Sequence, residues 1–273
     1  MTPTLLLLAG ALVSSGALAV WLWRSRREIQ RLRRHSEASA CNLETLQTSF
    51  ARFAPHEVVE RVITSGVSAS GERKEVTVLF ADLVGFTALS ESLEPAVLVN
   101  VLNGYFERMS RTITEHRGYV STFLGDGILA LFGALQPNPW QANDAAHAAL
   151  AMRRELEDYN KELGNQGLPT LAIGVGLHRG SGVAGLVGSR ELMQFAFVGR
   201  IVNLAARVQD LTRSCDADVL VTETVRETLD PRFALRPMEE ASLRGIEKPV
   251  ATYSVERFES NEKPASAVRQ LRE

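Results

Sequence analysis

Two aspartates have the sequence setting of metal-binding carboxylates. Asp82 ends an apolar, β-branched run, Glu75–Leu83, that has the length of a strand, and Asp126 lies at a predicted hairpin tip. An unpaired acid in a buried strand is costly, so Asp82 needs a partner, whereas Asp126 alone would be an ordinary turn aspartate. Paired oxygen ligands without His or Cys suit Mg²⁺ or Mn²⁺, which usually bridge substrate phosphates. The two aspartates therefore predict a metal site for a phosphate-bearing substrate.

The four residues that follow Leu83 predict a place for those phosphates. They stand at the start of a predicted short helix, where backbone N–H groups and the helix dipole favour an anion. A polyphosphate bound there would lie beside the metal carboxylate. The four residues are Val84, Gly85, Phe86 and Thr87.

A glycine-rich stretch further along the chain matches a dinucleotide-binding pattern by spacing alone. Gly180–Gly185 has the GxGxxG spacing and follows a predicted strand. Such a site needs a helix directly after the glycines, within an early βαβ unit. Here Leu186–Gly188 continues as strand and turn, so the glycines indicate a tight hairpin instead.

The elements that must position the aspartates alternate in a recognisable order. Strand Glu75–Leu83 is followed by a long helix that begins at Pro95 and ends at Gly118, with one apolar face. A hairpin, a third helix and a further strand complete the order strand–helix–strand–strand–helix–strand, which is the ferredoxin-like arrangement of an α+β domain. In that arrangement the first strand lies beside the hairpin, so Asp82 and Asp126 can converge. The later elements are predicted at Val120–Leu124, Ile128–Phe132, Ala142–Leu163, Thr170–Leu177, Phe195–Val198, Ile201–Leu211, Val219–Thr222 and Val250–Val255.

Composition excludes several classes of protein. The 273 residues are 45% hydrophobic and 23% charged, enough for a sizeable core, and the net charge of −2 argues against a basic nucleic-acid-binding protein. The two cysteines, Cys41 and Cys215, cannot form a disulfide framework, and five scattered histidines make a zinc site improbable. The charge is segregated along the chain. Residues 24–34 hold six arginines and one glutamate, a net charge of +5, so the rest of the chain carries a net charge of −7.

The N-terminal segment has the pattern of a membrane anchor. Thr4–Trp23 carries no charge and is long enough to cross the hydrocarbon core, and the arginines follow it at once. This flank predicts a single pass through the inner (cytoplasmic) membrane, with the N-terminus outside and the rest cytoplasmic. A cleaved signal peptide is the alternative, but positive charge would then precede the apolar stretch. A buried soluble helix is the second alternative.

A connector separates this anchor, residues 1–23, from the main domain. Between Ile29 and Phe53, positions spaced three and four residues apart form a heptad seam that is apolar except for two serines, which predicts a parallel coiled coil. A single amphipathic helix packing on its own domain is the alternative. Residues 24–71 thus comprise a basic collar, the coiled coil and a Ser/Gly-rich hinge. The main domain spans 72–257 and a polar tail 258–273.

The main domain resembles the class III nucleotide cyclases, the adenylyl and guanylyl cyclase homology domain. The similarity extends from Glu72 to Arg257, about two thirds of the chain, with its motifs in the family order. Phe50–Val62 also resembles the segment that precedes many bacterial members. The motifs are VLFADLVGFT (Val78–Thr87), FLGDG (Phe123–Gly127), Gly174–Gly188, VGRIVNLAAR (Val198–Arg207) and LRGI (Leu243–Ile246).

The resemblance implies the chemistry of the site. Asp82 and Asp126, with the backbone carbonyl of Leu83, would hold two Mg²⁺ or Mn²⁺ ions per active site, and ATP would be cyclised to 3′,5′-cyclic AMP with release of pyrophosphate. Asn203 would position the ribose and Arg207 would neutralise charge developing on the α-phosphate. These two residues are four apart on one helix and share a face.

The resemblance also implies a homodimer. In the family the aspartates come from one subunit and the Asn/Arg pair from the other, so two sites are shared across the interface. The heptad seam indicates the same state independently. Arg244 or Lys248 would contact the triphosphate, although either would equally serve as a solvated surface charge.

Two positions depart from the family pattern. Thr122 stands where the family usually has a lysine, and Ala196 where it usually has Asp or Thr; these side chains normally contact the base of ATP. A site without such hydrogen bonds discriminates poorly between bases. Three hypotheses follow: a membrane-anchored adenylate cyclase, a cyclase for guanine or pyrimidine nucleotides, and a non-catalytic signalling module of the same fold.

Overall fold

The computed structural model describes residues 71–189, 193–240 and 249–259. The predicted anchor Thr4–Trp23 and the predicted coiled coil lie outside these ranges, as do residues 260–273 of the predicted tail. None of the helices within the ranges is both long and apolar enough to cross a bilayer.

The elements alternate along the chain much as predicted, with one additional strand and one additional short helix near the end. Phe258, the first residue of the predicted tail, belongs to the last strand. The elements are β1 (Glu72–Leu83), α1 (Phe86–Ser92), α2 (Pro95–Glu115), β2 (Gly118–Leu124), β3 (Gly127–Phe132), α3 (Gln141–Asn165), β4 (Ile173–Gly188), β5 (Met193–Val198), α4 (Arg200–Leu211), β6 (Val219–Thr222), α5 (Glu223–Arg226), β7 (Phe233–Pro237) and β8 (Thr252–Phe258).

One mixed sheet organises the fold, with β1 near its centre. The strand order is β2-β3-β1-β4-β6-β8-β7, and β5 pairs with the far end of β4. β1 runs antiparallel to both β3 and β4, and its pairing with β4 covers its whole length. The segment β1-α2-β2-β3-α3-β4, with sheet order β2-β3-β1-β4, has the predicted βαββαβ topology.

Residues of β1 alternate between two cores on opposite faces of the sheet. Leu79, Ala81 and Leu83 pack in one core with the buried faces of α2 and α3. Val76 and Val78 pack in the other core, with residues of α4. Because successive side chains of a strand point to opposite faces, Asp82 lies on the same face as α4.

Glycines of β4 bring α4 close to the sheet. A Cβ atom at Gly176 would lie 2.3 Å from the backbone nitrogen of Gln209 and 2.6 Å from the carbonyl oxygen of Ala205. A Cβ atom at Gly174 would lie 2.0 Å from the hydroxyl of Thr212.

Gly180–Gly185, the stretch with GxGxxG spacing, is part of β4 itself and does not lead into a helix. The expected tight hairpin at these glycines was therefore wrong, because the strand continues through them. Close packing accounts for two of them, since a Cβ atom at Gly180 would lie 2.8 Å from Ile201 and one at Gly182 would contact Phe197.

The end of α2 differs from the expected glycine stop. Arg117, not Gly118, adopts the left-handed conformation, with φ of 62°, and Gly118 already begins β2. A Cβ atom at Gly118 would lie 2.6 Å from side-chain atoms of both Ile113 and Phe132. Packing between the helix and the strand, rather than turn geometry, therefore requires a glycine there.

A histidine is buried in the sheet away from the aspartates. His178 on β4 is only 9% exposed, and its Nδ1 lies 2.9 Å from the hydroxyl of Thr222. Burial lowers its pKa from 6.5 to about 4 because the charged imidazolium loses hydration. The folded state therefore holds this ring neutral over a range in which the unfolded chain protonates it.

His178 is predicted to make stability fall as the pH is lowered. Its folded pKa is below its unfolded pKa, so the unfolded state binds more protons between about pH 6.5 and pH 4, and unfolding becomes easier by up to about 3 kcal/mol. Urea denaturation from pH 7.5 to pH 4 should show a steeper loss for the wild type than for His178→Gln. Equal slopes for the two proteins would contradict this assignment.

Candidate active site

The two predicted aspartates lie together at one end of the central strand. Asp82 is the second-last residue of β1, and Asp126 lies in the two-residue loop between β2 and β3. Because β3 pairs antiparallel with β1, and Ala81 is opposite Ile128, the loop returns next to Asp82. The two carboxylates are close enough for the charge of Asp126 to raise the pKa of Asp82. A carboxylate oxygen of Asp126 also accepts a hydrogen bond from the backbone N–H of Leu83 at 3.3 Å.

Glycines on both sides of Asp126 fit the loop to the carboxylate of Asp82. Gly125 has φ of +66°, which a two-residue hairpin loop often requires at its first position. Gly127 begins β3, and a Cβ atom there would lie 3.3 Å from Oδ1 of Asp82 and 3.1 Å from the carbonyl of Leu124. The FLGDG motif therefore combines a turn with close approach of the backbone to the acid.

Electrostatics at Asp82 favour a bound cation. Its pKa is raised to about 6, first by burial and then by the neighbouring charge of Asp126, while Arg213 acts in the opposite direction. Two carboxylates held against their mutual repulsion gain from a divalent cation, and carboxylate and carbonyl oxygens are ligands that Mg²⁺ accepts. Asp82, Asp126 and the carbonyl of Leu83 therefore fit the predicted metal site.

Arg213 is a site residue that the sequence analysis missed. It follows the C-terminal end of α4, and its guanidinium donates to Oδ2 of Asp82 at 2.5 Å. Its side chain is 51% exposed, whereas that of Asp82 is 18% exposed. The two residues are 131 positions apart, and a single arginine beyond a helix carries no signal in the sequence.

Tyr105 is the second residue that the sequence analysis missed as part of the site. The pattern placed it correctly on the apolar face of α2, where it is fully buried. Its hydroxyl has no hydrogen-bond partner among the described residues. Its pKa is raised by burial and further by the negative charges of Asp82 and Asp126, so the phenol lies within their electrostatic reach. The available signal was a polar hydroxyl on a helix face that is otherwise apolar.

The predicted phosphate-binding residues are only partly available. The backbone N–H of Val84 donates to the carbonyl of Ala172 at 2.8 Å, so this amide is already used and the expectation for it was wrong. Gly85 precedes α1 with φ of 73°, and α1 has no side-chain cap. Gly85, Phe86 and Thr87 therefore remain the candidates for phosphate binding.

The Asn/Arg pair lies on the outer side of α4. Ile201, Ala205 and Val208 are buried against the sheet, while Asn203 is exposed and Arg207 half-buried. In the part of the chain that the structure describes, the hydrogen bonds of the two aspartates go to Leu83 and Arg213, and neither member of the pair takes part. One chain therefore does not bring its own Asn203 and Arg207 to its own aspartates.

The two predicted base-recognition positions lie on separate strands. Thr122 follows an irregularity in the pairing of β2 with β3, and its hydroxyl donates to the carbonyl of Phe123 at 3.3 Å. Ala196 lies on β5 opposite Gly185. Both are half-buried. Arg244 and Lys248 lie outside the described residues.

Comparison with known proteins agrees with this geometry. Residues 69–257 match the family described as "Adenylate and Guanylate cyclase catalytic domain". The chain belongs to this family. The resemblance seen in the sequence motifs is thus confirmed, and so is a mixed α+β cyclase domain built on a single sheet.

Three relatives illustrate the similarity. The chain is 31% identical over 218 residues to an adenylate cyclase of Anabaena cylindrica, a match that covers 76% of this chain and 42% of the relative. The adenylyl cyclase CyaB of P. aeruginosa has a TM-score of 0.67 at 28% identity, over 71% of this chain and all of that one. The guanylyl cyclase Cya2 has a TM-score of 0.64 at 32% identity, over 71% of this chain and 97% of that one. The cyclase domain thus spans less than half of the Anabaena relative.

Replacing Asp126 by Asn is predicted to separate stability from metal binding. Removing one of two neighbouring carboxylate charges relieves repulsion, so the metal-free variant should melt a few degrees higher than the wild type. Adding Mn²⁺ should raise the melting temperature of the wild type but not that of the variant.

The matched control is Asp158→Asn, which removes a carboxylate on the exposed surface of α3. This variant should change stability by no more than about 0.5 kcal/mol and retain the response to Mn²⁺. An Asp126→Asn protein that is still stabilised by Mn²⁺ as the wild type is would contradict the metal assignment.

Proposed function

We propose that this protein is a membrane-anchored class III adenylate cyclase that converts ATP to 3′,5′-cyclic AMP and pyrophosphate for intracellular signalling. The observation that carries the proposal is the pair of carboxylates, Asp82 and Asp126, held together beside a helix that presents Asn203 and Arg207. A non-catalytic module would have no chemical need for all four residues. The 31% sequence identity to an adenylate cyclase, in a match that covers 76% of this chain, supports the same activity.

The side chains divide the reaction between them. Asp82, Asp126 and the Leu83 carbonyl would hold two Mg²⁺ or Mn²⁺ ions. When bound, these ions supply charge that lowers the pKa of the ribose 3′-hydroxyl and neutralises the triphosphate. The 3′-hydroxyl then gives its proton to solvent water, and its oxygen bonds to the α-phosphorus while the bond from that phosphorus to the pyrophosphate oxygen breaks. Asn203 orients the ribose, and the fork-shaped guanidinium of Arg207 binds the α-phosphate oxygens as their charge grows.

A homodimer would complete each site. Asn203 and Arg207 face away from the sheet of their own chain, so a partner subunit's aspartates are the group that they would meet. Apolar side chains are also exposed on β4 and β5, where Val183 is 39%, Val187 49% and Val198 56% exposed. Exposed apolar residues grouped on neighbouring strands favour contact with another protein surface.

The N-terminal segment would place this enzyme at the inner membrane. The apolar stretch Thr4–Trp23 and the arginines after it support a single-pass anchor with a cytoplasmic catalytic domain. The heptad pattern between Ile29 and Phe53 would hold two catalytic domains side by side.

Complementation between inactive variants tests the shared site. Asp82→Ala and Arg207→Ala should each lower kcat by at least about 1000-fold, because each removes charge stabilisation that the transition state requires. Coexpression of the two full-length variants should restore up to about a quarter of wild-type activity, since random pairing makes half of the dimers mixed and each mixed dimer has one intact site.

The control is coexpression of Asp82→Ala with Asp126→Ala, which damages the same half of the site in both chains and should restore nothing. Cyclic AMP formation is measured in membranes that contain equal amounts of each variant. Verified mixed dimers without activity would contradict the shared-site mechanism.

Conversion of another nucleotide is the alternative, and the base-recognition positions favour it. Ala196 has no hydrogen-bonding side chain, and the hydroxyl of Thr122 is directed to a neighbouring carbonyl. A solved relative of comparable similarity is a guanylyl cyclase. Incubation of the full-length protein with each of the four nucleoside triphosphates and Mn²⁺ distinguishes these activities by the cyclic product formed.

A pair of nearly isosteric substitutions at Ala196 tests base recognition. We expect the wild type to prefer ATP over GTP by less than about 100-fold in kcat/KM, because few polar groups face the base. Ala196→Thr should change this ratio by about tenfold, whereas Ala196→Val, which lacks the hydroxyl, should change it little. Identical ratios for the Thr and Val variants would remove Ala196 from the base site.

A further inference from the structure

Arg213 binds the carboxylate that a divalent cation would also bind. Its guanidinium lies 2.5 Å from Oδ2 of Asp82, the carboxylate expected to bind a divalent cation. A cation bound to the same carboxylate would repel the positive charge of the guanidinium. The arginine and the cation therefore compete for Asp82.

The backbone around Arg213 is fixed, so only its side chain is free to move. The N–H of Arg213 donates to the carbonyl of Asp210 at 3.2 Å, and the hydroxyl of Thr212 donates to the carbonyl of Gln209 at 2.7 Å. Thr212 packs directly on Gly174, which is opposite Asp82 in the pairing of β1 with β4. A released guanidinium would consequently remain within side-chain reach of the site.

A second unused donor lies at the same place. Gln209 is 2% exposed, and its side-chain nitrogen has no hydrogen-bond partner among the described residues. That nitrogen lies 3.0 Å from the position of a Cβ atom at Gly174, on the face of the sheet that carries Asp82. Once Arg213 releases Asp82, the side-chain N–H groups of Gln209 and Arg213 are neighbouring hydrogen-bond donors without an acceptor.

We propose that Arg213 holds Asp82 in the metal-free site and passes to the triphosphate of the nucleotide when the divalent cation binds. This inference rests on the proposed function, because it assumes a nucleotide bound beside Asp82. The planar guanidinium suits bidentate binding of phosphate oxygens, and its half-exposed position lets the side chain turn without unfolding α4. The same residue thereby weakens binding of the cation alone and strengthens binding of the cation together with nucleotide.

The test compares metal binding and nucleotide binding by full-length Arg213→Ala. Without competition for Asp82, its affinity for Mn²⁺ alone, measured by the electron paramagnetic resonance of free Mn²⁺, should increase about three- to tenfold. Its affinity for α,β-methylene-ATP in saturating Mn²⁺, measured by calorimetry, should fall about tenfold or more because a charged hydrogen bond is lost. Arg213→Lys should lie between the wild type and the Ala variant in both measurements.

The control is Arg257→Ala, which removes an exposed arginine paired with Glu259 on β8 and should change neither affinity. Unchanged Mn²⁺ affinity in Arg213→Ala, or unchanged nucleotide affinity, would overturn the inference. Both affinities are measured without turnover. If Arg213→Ala shows both affinity changes but the wild type forms no cyclic nucleotide, only the proposed function is refuted. If the wild type is active but Arg213→Ala shows neither change, only the role of Arg213 is refuted.

Discussion

The repulsion between Asp82 and Asp126 is the constraint around which this domain is organised. Two acids share a partly buried space at the end of β1, and the pKa of Asp82 is raised to about 6, first by burial and then by the charge of Asp126. The chain tolerates it because β1 is fixed on both edges by β3 and β4, and because the hairpin that carries Asp126 is tied to the N–H of Leu83. Holding the two carboxylates together thus lowers folding stability locally, and it leaves a site that favours a bound cation.

Close packing of α4 on β4 places further side chains beside the two aspartates. Gly174 and Gly176 allow the helix backbone to lie directly on the strand. One side of α4 therefore faces the sheet, and the other side faces away from it. The turn after α4 brings Arg213 to Asp82 of the same chain, and the inner side of α4 places Gln209 beside Gly174. The outer side carries Asn203, which is exposed, and Arg207, which is half-buried. In the proposed dimer, one helix would therefore contribute to two sites.

Local patterns predicted much of this arrangement because each signal lay within a few neighbouring residues. The apolar run before Asp82, the glycines around Asp126 and the periodicity of α2 determine those elements without long-range information. β7 was missed because its five residues end in a proline and pair only with β8 at the edge of the sheet.

The remaining errors all involve contacts between distant parts of the chain. The amide of Val84 is used by Ala172, and Arg213 contacts Asp82 from 131 residues away. Tyr105 was placed on the correct face of α2, but its proximity to the aspartates depends on how that helix crosses the sheet. Such tertiary contacts leave no periodic trace, so a single sequence reveals the two aspartates more readily than the side chains that pack around them.

The positions for catalysis and for base recognition differ in how strongly the fold constrains them. Asp82 ends the central strand, and the inner face of α4 packs against the sheet through Ile201 and Ala205. Thr122 lies beside an irregularity in β2, and Ala196 lies on β5, which pairs only with β4. A side chain at either position can change without repacking the centre. The fold therefore tolerates a change at Thr122 or Ala196 more readily than a change at Asp82 or on the inner face of α4, so the contacts proposed for the base are freer to vary than the residues proposed for cyclisation.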